Sequence, residues 1–136
     1  MRLQNEVVID PRSYHRYDDV VATFEALDTE GMVALYKDLK PLMDEAYRQL
    51  GYPEGSFGEP LEKAIIHLLG TPDMPEQVPL TEKVVTYAFQ SDTLETQSAA
   101  RKHLLRMGPE NMRKTKAKLR SFATALGMDT SRFPAP

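Results

Sequence analysis

The sequence predicts an all-α fold, a compact bundle of six or seven short-to-medium helices in one domain. Three observations predict it. Apolar residues recur at steps of three and four along most of the chain, as they do on one face of a helix. Ser, Asp, Gly and Pro stand at the ends of these apolar stripes, where helices begin and end. A length of 136 residues and an apolar share of 41% suit a single folded core.

The first two helices are predicted after an extended entry segment over residues 1–9. The Asp-Pro pair at residues 10–11 is typical of an N-cap followed by a first helical residue, and Asp28 begins the second helix. That helix carries one long apolar stripe from Met32 to Leu50, whose tyrosines are expected in the core or at its edge. Pro41 is expected to kink or split the helix, because proline lacks a donor and clashes with the preceding turn.

A turn at Tyr52-Pro53-Glu54-Gly55 leads into the third helix, which ends at Gly70. The proline-rich residues 71–80 are expected to form a surface loop. The short apolar run over residues 82–89 suits either a helix or a strand, because periodicity alone does not separate the two in so short a run. We favour a helix, since the sequence offers no second convincing strand to pair with it.

Two further helices complete the predicted bundle. Ser98 is the N-cap of the first, and Gly108-Pro109 ends that helix and begins the next within two residues. The last helix ends at Gly127, which closes a single helical domain over residues 10–127. Residues 128–136 are expected to be a flexible tail.

The sequence contains no familiar catalytic or metal-binding pattern. Cys is absent, which excludes disulfides, thiolate zinc sites and cysteine nucleophiles. His15, His67 and His103 have no second His at helical spacing, so a zinc enzyme has little support. Neither a phosphate-binding glycine loop nor a G-x-S-x-G nucleophile elbow occurs. We therefore assign no catalytic residue, no metal ligand and no cofactor.

Charge is distributed unevenly along the chain. Residues 1–100 contain 8 Lys and Arg against 18 Asp and Glu, a balance of −10, and residues 101–136 contain 9 against 2, a balance of +7. Four cations of the last two helices form a candidate patch for an anionic partner, either phospholipid headgroups or nucleic acid. These residues are Arg106, Arg113, Lys116 and Arg120. The competing interpretation is structural, with the basic helix lying against acidic helices or forming a solvated face, and we favour it because an acidic whole repels polyanions.

Several short runs between Val8 and Leu126 form a recognisable set. They are Tyr14-His15-Arg16-Tyr17-Asp18, Leu39-Lys40-Pro41-Leu42, Glu45-Ala46-Tyr47, Leu50-Gly51-Tyr52-Pro53-Glu54-Gly55, Tyr87-Ala88-Phe89, Leu104-Leu105-Arg106-Met107-Gly108-Pro109-Glu110-Asn111 and Lys116-Ala117-Lys118-Leu119-Arg120. Together they resemble a bacterial family known as domain of unknown function 3014, and the resemblance covers nearly the whole chain.

The resemblance implies a soluble helical domain of a membrane-anchored protein of Gram-negative bacteria. In such proteins the domain faces the periplasm and follows one transmembrane helix and a Pro/Ala-rich linker. The chain shows neither anchor nor linker, so it is expected to be a fragment. Because the family has no assigned activity, no site residue is carried over from it.

These observations lead to three expectations of function. The first is a non-catalytic interaction domain of an envelope protein, which binds another protein through its helical surfaces. The alternative is binding of an anionic partner through the basic C-terminal helices, which must weaken as salt rises. The third is an enzyme whose site is assembled from scattered residues. The oligomeric state is left open.

Overall fold

The fold is seen in a computed structural model, which describes residues 2–3, 6–52, 54–75 and 77–135. Several sequence predictions extend beyond these residues, and the predicted loop over residues 71–80 also includes one residue, Glu76, that is not described. Part of the predicted entry segment, Pro53 of the predicted turn and Pro136 of the predicted tail lie outside the described residues.

The predicted helical character of the chain is confirmed. Each of Asp10, Asp28 and Ser98 caps a helix, because its side chain accepts a hydrogen bond from a backbone N–H two or three residues later. The first predicted helix starts in 3-10 form and continues as an α-helix. The helices of the described residues are a 3-10 helix (Pro11–Tyr17), α1 (Asp18–Ala26), α2 (Thr29–Gln49), α3 (Gly58–Leu69), α4 (Asp92–Glu95), α5 (Ala99–Arg106), α6 (Pro109–Ala125) and a second 3-10 helix (Thr130–Arg132).

The described residues also include an antiparallel sheet, so the prediction of a purely α-helical fold is wrong. Its four strands lie in chain order and are β1 (Arg2–Leu3), β2 (Glu6–Val8), β3 (Pro79–Glu82) and β4 (Tyr87–Phe89). Leu80 lies opposite Val7 on one side and opposite Phe89 on the other. The predicted helix over residues 82–89 is therefore wrong, and the predicted loop over residues 71–80 ends in β3.

The turn between β3 and β4 explains why the pattern misled. Lys83 N donates to Thr86 O at 2.8 Å, which places Val84 and Val85 at the tip of a hairpin, 102% and 89% exposed. Apolar residues at an exposed tip break the alternation that predicts a strand. The partner strand β2 lies near the N terminus, so no local pattern indicates the pairing.

The central helix of the fold is α6, which packs against α1, α2, α3 and α5. It contributes Met112 to a first core cluster that contains Phe89 of β4 and Leu105 of α5. It contributes Ala123 to a second cluster with Leu69 of α3. Leu105 and Ala123 are both fully buried, so α6 joins the sheet side of the molecule to the helical side.

Two regions of predicted irregularity are more regular than expected. The second helix continues through Pro41 to Gln49, so it is not split there, and a kink stays a prediction. After Gly127 the chain forms the second 3-10 helix, and Phe133 packs against the second core cluster. The flexibility of residues 128–136 stays a prediction.

Candidate functional site

The N-terminal half of α2 is held by a cap and by one aromatic contact. Asp28 Oδ2 accepts a hydrogen bond from Gly31 N at 2.8 Å, which satisfies a free N–H group of the first turn. Val33 is buried, and Tyr36 packs edge-on against Phe122 of α6 with ring centroids 6.5 Å apart. These contacts determine which face of α2 lies against the body of the protein.

A polar cluster fastens the second half of α2 to the turn before α3. Asp44 Oδ1 accepts from Phe57 N at 2.8 Å and from Ser56 Oγ at 3.1 Å, and Oδ2 accepts from Lys40 Nζ at 2.5 Å. The bond from Lys40, followed by the bond from Phe57, lowers the pKa of Asp44 below its usual value. Three donors on one carboxylate hold the helix and the turn in a defined relative position.

Aromatic rings close the same end of α2. Tyr47 stacks on Tyr52 with ring centroids 4.5 Å apart and planes 4° from parallel, and it meets the ring of Phe57 edge-on at 6.3 Å. Gly55 lies directly against Tyr47, where an added Cβ would come within 2.7 Å of the ring. The helix is therefore held along its length before anything binds to it.

The outward side of α2 carries four leucines in solvent. Leu50 is 76% exposed, Leu42 68%, Leu35 60% and Leu39 37%. At about 100° per residue, these side chains fall within an arc of about 80°. We call these four residues the apolar stripe. Single exposed leucines are ordinary, but four on one helix face form a patch of the kind that marks an interaction site.

Sequence reasoning missed the apolar stripe because it took the residues from Met32 to Leu50 as one apolar face. These residues span a wider arc than a single packing face of a helix requires. The inner part of the arc, with Tyr36, Met43 and Tyr47, is half-buried, and the outer part is the apolar stripe. The excess width of the arc is the feature of the sequence that indicates a second, outward face.

Acidic residues border the apolar stripe on the side away from the core. Asp38 and Glu45 lie within about 60° of Leu42 around the helix axis. Glu45 accepts from Arg48 at 2.6 Å and from Gln49 at 3.1 Å, and the bond from Arg48 is the main cause that lowers the pKa of Glu45. The carboxylate of Asp38 makes no hydrogen bond or ion pair within the described part of the chain. We call Asp38 and Glu45 the acidic flank.

Several basic residues near the C terminus bind backbone carbonyls of the protein itself. Lys118 Nζ donates to Glu25 O at 3.1 Å and to Leu27 O, at the end of α1. Arg101 Nε donates to His67 O at 2.8 Å, in the last turn of α3. The last carbonyls of a helix lack intrahelical donors and carry partial negative charge, so a cation at these positions stabilises the helix.

The four residues of the predicted basic patch do not come together. Arg113, Lys116 and Arg120 line a groove of about 460 Å³ on α6, whereas Arg106 lines a separate cavity of about 270 Å³ beside the sheet. Lys116 and Arg120 donate to backbone carbonyl oxygens, Lys116 at 2.5 Å. Within the described part of the chain, the guanidinium groups of Arg106 and Arg113 make no hydrogen bond and no ion pair.

The histidines have partners of a structural kind. His15 Nδ1 lies 2.9 Å from Asp18 Oδ2, and His67 Nε2 lies 2.7 Å from Ser98 Oγ. The ring of His103 packs edge-on against a tyrosine. Across residues 2–3, 6–52, 54–75 and 77–135, no group of three or more His, Asp or Glu is placed to hold a metal ion.

A buried amide ties α6 to the first 3-10 helix and α1. Asn111 is 6% exposed, and its Nδ2 donates to Asp18 Oδ1 at 2.8 Å and to Met107 O at 3.1 Å, with Tyr14 O at 3.4 Å. The bond from Asn111, followed by the bond from His15, lowers the pKa of Asp18. Asn111 therefore has a structural role, which its position in the sequence does not indicate.

Comparison with known proteins identifies a family and nothing closer. A family model described as "Protein of unknown function (DUF3014)" matches residues 1–123, which confirms the resemblance found in the sequence. No curated protein and no solved structure matches the chain. None of the helices in the described part of the chain is both long enough and apolar enough to cross a membrane.

Proposed function

The chain belongs to the DUF3014 family, which has no assigned activity, and we propose that it is a non-catalytic protein-binding domain of a bacterial envelope protein, facing the periplasm. The partner lies along the apolar stripe of α2. The observation that carries the proposal is the exposure of Leu35, Leu42 and Leu50, each more than half open to solvent. Large apolar side chains exposed on one side of a helix are typical of sites that another molecule covers.

The occupant that fits the apolar stripe is an amphipathic helix of another protein. From Leu35 to Leu50 the stripe extends over about 22 Å, at about 1.5 Å per residue. Leu35, Leu39 and Leu42, at steps of four and three, form a ridge against which a second helix packs, and Leu50 lies on the same side at the end of α2. The cluster at Asp44 and the stack at Tyr47 already hold α2 in place, so binding does not have to order it.

Charge selects the kind of helix that binds. The acidic flank borders the stripe, and residues 1–100 carry a balance of −10. A partner helix with Lys or Arg beside its apolar face complements these charges. A second copy of this chain would bring the same acidic flank with it, so we favour a different protein over pairing of two α2 helices.

Photo-crosslinking in cells of the source bacterium tests the proposal. A benzophenone amino acid replaces Leu42 in one variant and the equally exposed Val85 of the hairpin tip in the control. We expect residue 42, and not residue 85, to crosslink to one other protein. That protein, once purified, should bind the wild-type chain at least about tenfold more tightly than it binds Leu42→Lys.

The control substitution is at Val85, at the tip of the hairpin between β3 and β4. Val85→Lys should leave the dissociation constant within about twofold, because the hairpin tip is distant from the stripe in the chain and exposed on its own. If residue 42 crosslinks only to a second copy of this chain, the proposal that a different protein occupies the stripe is wrong. Binding of the purified partner that Leu42→Lys leaves unchanged would contradict the stripe as the site.

One observation supports a second candidate function, the binding of an anionic partner through α6. Arg113 has no partner among the described residues and shares a groove with Lys116 and Arg120. Binding to duplex DNA or to phosphatidylglycerol vesicles should then fall steeply between low and high salt, and Arg113→Gln should weaken it. Absent or salt-independent binding would contradict this candidate.

A further inference from the structure

A cavity of about 270 Å³ lies between the sheet, the first 3-10 helix and α5. Its apolar wall comes from the sheet and the residue after β2. Leu80 and Phe89 face each other across β3 and β4, and Ile9 extends the same wall. Phe89 is buried in the first core cluster and Leu80 packs against that cluster, so the wall is part of the rigid core. The volume is near the lower end of the range for small-molecule pockets, which begins at about 300 Å³.

Two guanidinium groups line the same cavity. Arg16 comes from the first 3-10 helix and Arg106 from the last turn of α5. The Arg16 Cζ lies 4.9 Å from the ring centroid of Tyr17, over the ring, which is cation–π distance. Neither guanidinium group makes a hydrogen bond or an ion pair with the described residues. Arg106 acts electrostatically on Glu95, but that carboxylate already accepts hydrogen bonds from other groups.

Two tyrosines and a serine complete the lining. Tyr14 is held in place by Gly108, since an added Cβ at Gly108 would lie 2.5 Å from the Tyr14 Cγ. Burial raises the pKa of Tyr14, and its phenol, like that of any tyrosine at neutral pH, is protonated and able to donate. Ser13 and Tyr87 also line the cavity, and each supplies a hydroxyl that donates or accepts.

We propose that this cavity binds a small organic anion, a carboxylate or phosphate monoester joined to a compact aromatic or aliphatic group. Arg16 and Arg106 bind the anionic oxygens, because guanidinium groups form paired, charge-assisted hydrogen bonds to both kinds of anion. The apolar part of the ligand packs on Leu80 and Phe89. The site lies on different elements from the apolar stripe of α2, so it stands apart from the proposed protein-binding function.

Titration of the ¹⁵N-labelled protein with four probes tests this site by NMR chemical shifts. Benzoate and phenyl phosphate each join a phenyl ring to one of the two anionic groups. Benzyl alcohol has the ring but no charge, and inorganic phosphate has the charge but no ring. We expect at least one aromatic anion to bind at millimolar concentration and to shift amides near Ser13, Leu80 and Arg106. Benzyl alcohol, which has no charge, and inorganic phosphate, which has no ring, should each bind at least about tenfold more weakly. Preference between benzoate and phenyl phosphate identifies the anion of the natural ligand.

Three arginine variants distinguish binding in this cavity from non-specific attraction of an anion to any exposed arginine. Arg106→Gln and Arg16→Gln should each weaken binding of the aromatic anion at least about tenfold. Both arginines are exposed, so these substitutions should not affect folding. Arg113→Gln, in the other groove, should leave binding unchanged. Three results would each overturn the proposal: no saturable shift with either aromatic anion, equal binding of the charged and neutral aromatic probes, or equal loss with Arg113→Gln.

Discussion

Glu95 Oε2 accepts a hydrogen bond from the backbone N–H of Phe89 at 2.9 Å, on the outer edge of β4. The next residue, Gln90, donates inward to Pro79 O at 3.0 Å, so the N–H of Phe89 points away from β3. In the described sheet β4 is the last strand. A carboxylate from α4 therefore occupies the position of a carbonyl on a further strand and satisfies part of an edge that would otherwise be open to pairing.

Loss of charge at Glu95 should make the protein less stable at neutral pH and less sensitive to acid. The bond from Phe89, followed by the bond from Lys102, lowers the pKa of Glu95 below its usual value of 4.5. A lowered folded-state pKa gives stability that is present above the unfolded pKa and lost as pH falls through the folded one. Glu95→Gln should unfold at a lower temperature than the wild type at about pH 7, and the difference should shrink towards about pH 3. A difference in melting temperature that is constant with pH would contradict this role for the charge.

Gly108 and Gly127 both need a glycine backbone, but substitution of Gly108 meets two further obstacles, its extended ψ of 163° and the ring of Tyr14. Both have positive φ, +87° and +81°, but an added Cβ meets the Tyr14 ring at 2.5 Å only at Gly108, and meets nothing within 4 Å at Gly127. Gly127→Ala should cost about 1–2 kcal/mol of unfolding free energy from backbone strain alone. Gly108→Ala must also displace a packed ring and strain a backbone with φ 87° and ψ 163°, and should cost about 3 kcal/mol or more. Urea denaturation measures both losses, and a loss at Gly108 no larger than that at Gly127 would contradict both added costs.

Helix ends were predictable from the sequence because the interactions that make them are local. Asp28 bonds to an N–H three residues later, and Ser98 does the same. An extended segment was predicted over residues 1–9, where β1 and β2 lie, but the sheet was not predictable, because Leu80 of β3 pairs with Val7 from the far end of the chain. The strands are also short, so they contain too few residues for an alternating pattern to form.

The candidate sites could also be predicted only in part from the sequence, but for a different reason. A helical wheel correctly places Arg113, Lys116 and Arg120 on one flank of α6, and these three do share a groove. It does not show which acceptors the fold brings to them, and Lys116 meets a backbone carbonyl of the loop after α3. The separation of Arg106 from the others follows from the turn at Gly108, which sets the direction of α6 relative to α5. Which cations remain free for a ligand is therefore a property of the tertiary structure.

Removal of the amine of Lys118 should weaken the end of α1. Lys118 Nζ donates to Glu25 O and Leu27 O, where the helix has no N–H donors left of its own. Lys118→Met keeps most of the side-chain length and should cost about 0.5–1 kcal/mol. Amide hydrogen exchange should show faster exchange in the last turn of α1. The control Arg113→Met removes a cation without a described partner and should change stability by less than about 0.5 kcal/mol; equal effects of the two variants would contradict the capping role.

Polar substitution in the apolar stripe should have little effect on folding if the stripe is a binding surface. Leu35→Gln and Leu42→Gln replace residues that are 60% and 68% exposed, and Gln has nearly the helix propensity of Leu. Each should change the unfolding free energy by less than about 0.5 kcal/mol, and the double variant should bind the dye ANS more weakly than the wild type. Val33→Ala, on the buried face of the same helix, should cost about 2 kcal/mol because it leaves a cavity. A loss at Leu42 as large as that at Val33 would mean that the leucines pack within the chain, and that surface would then no longer be available to a partner.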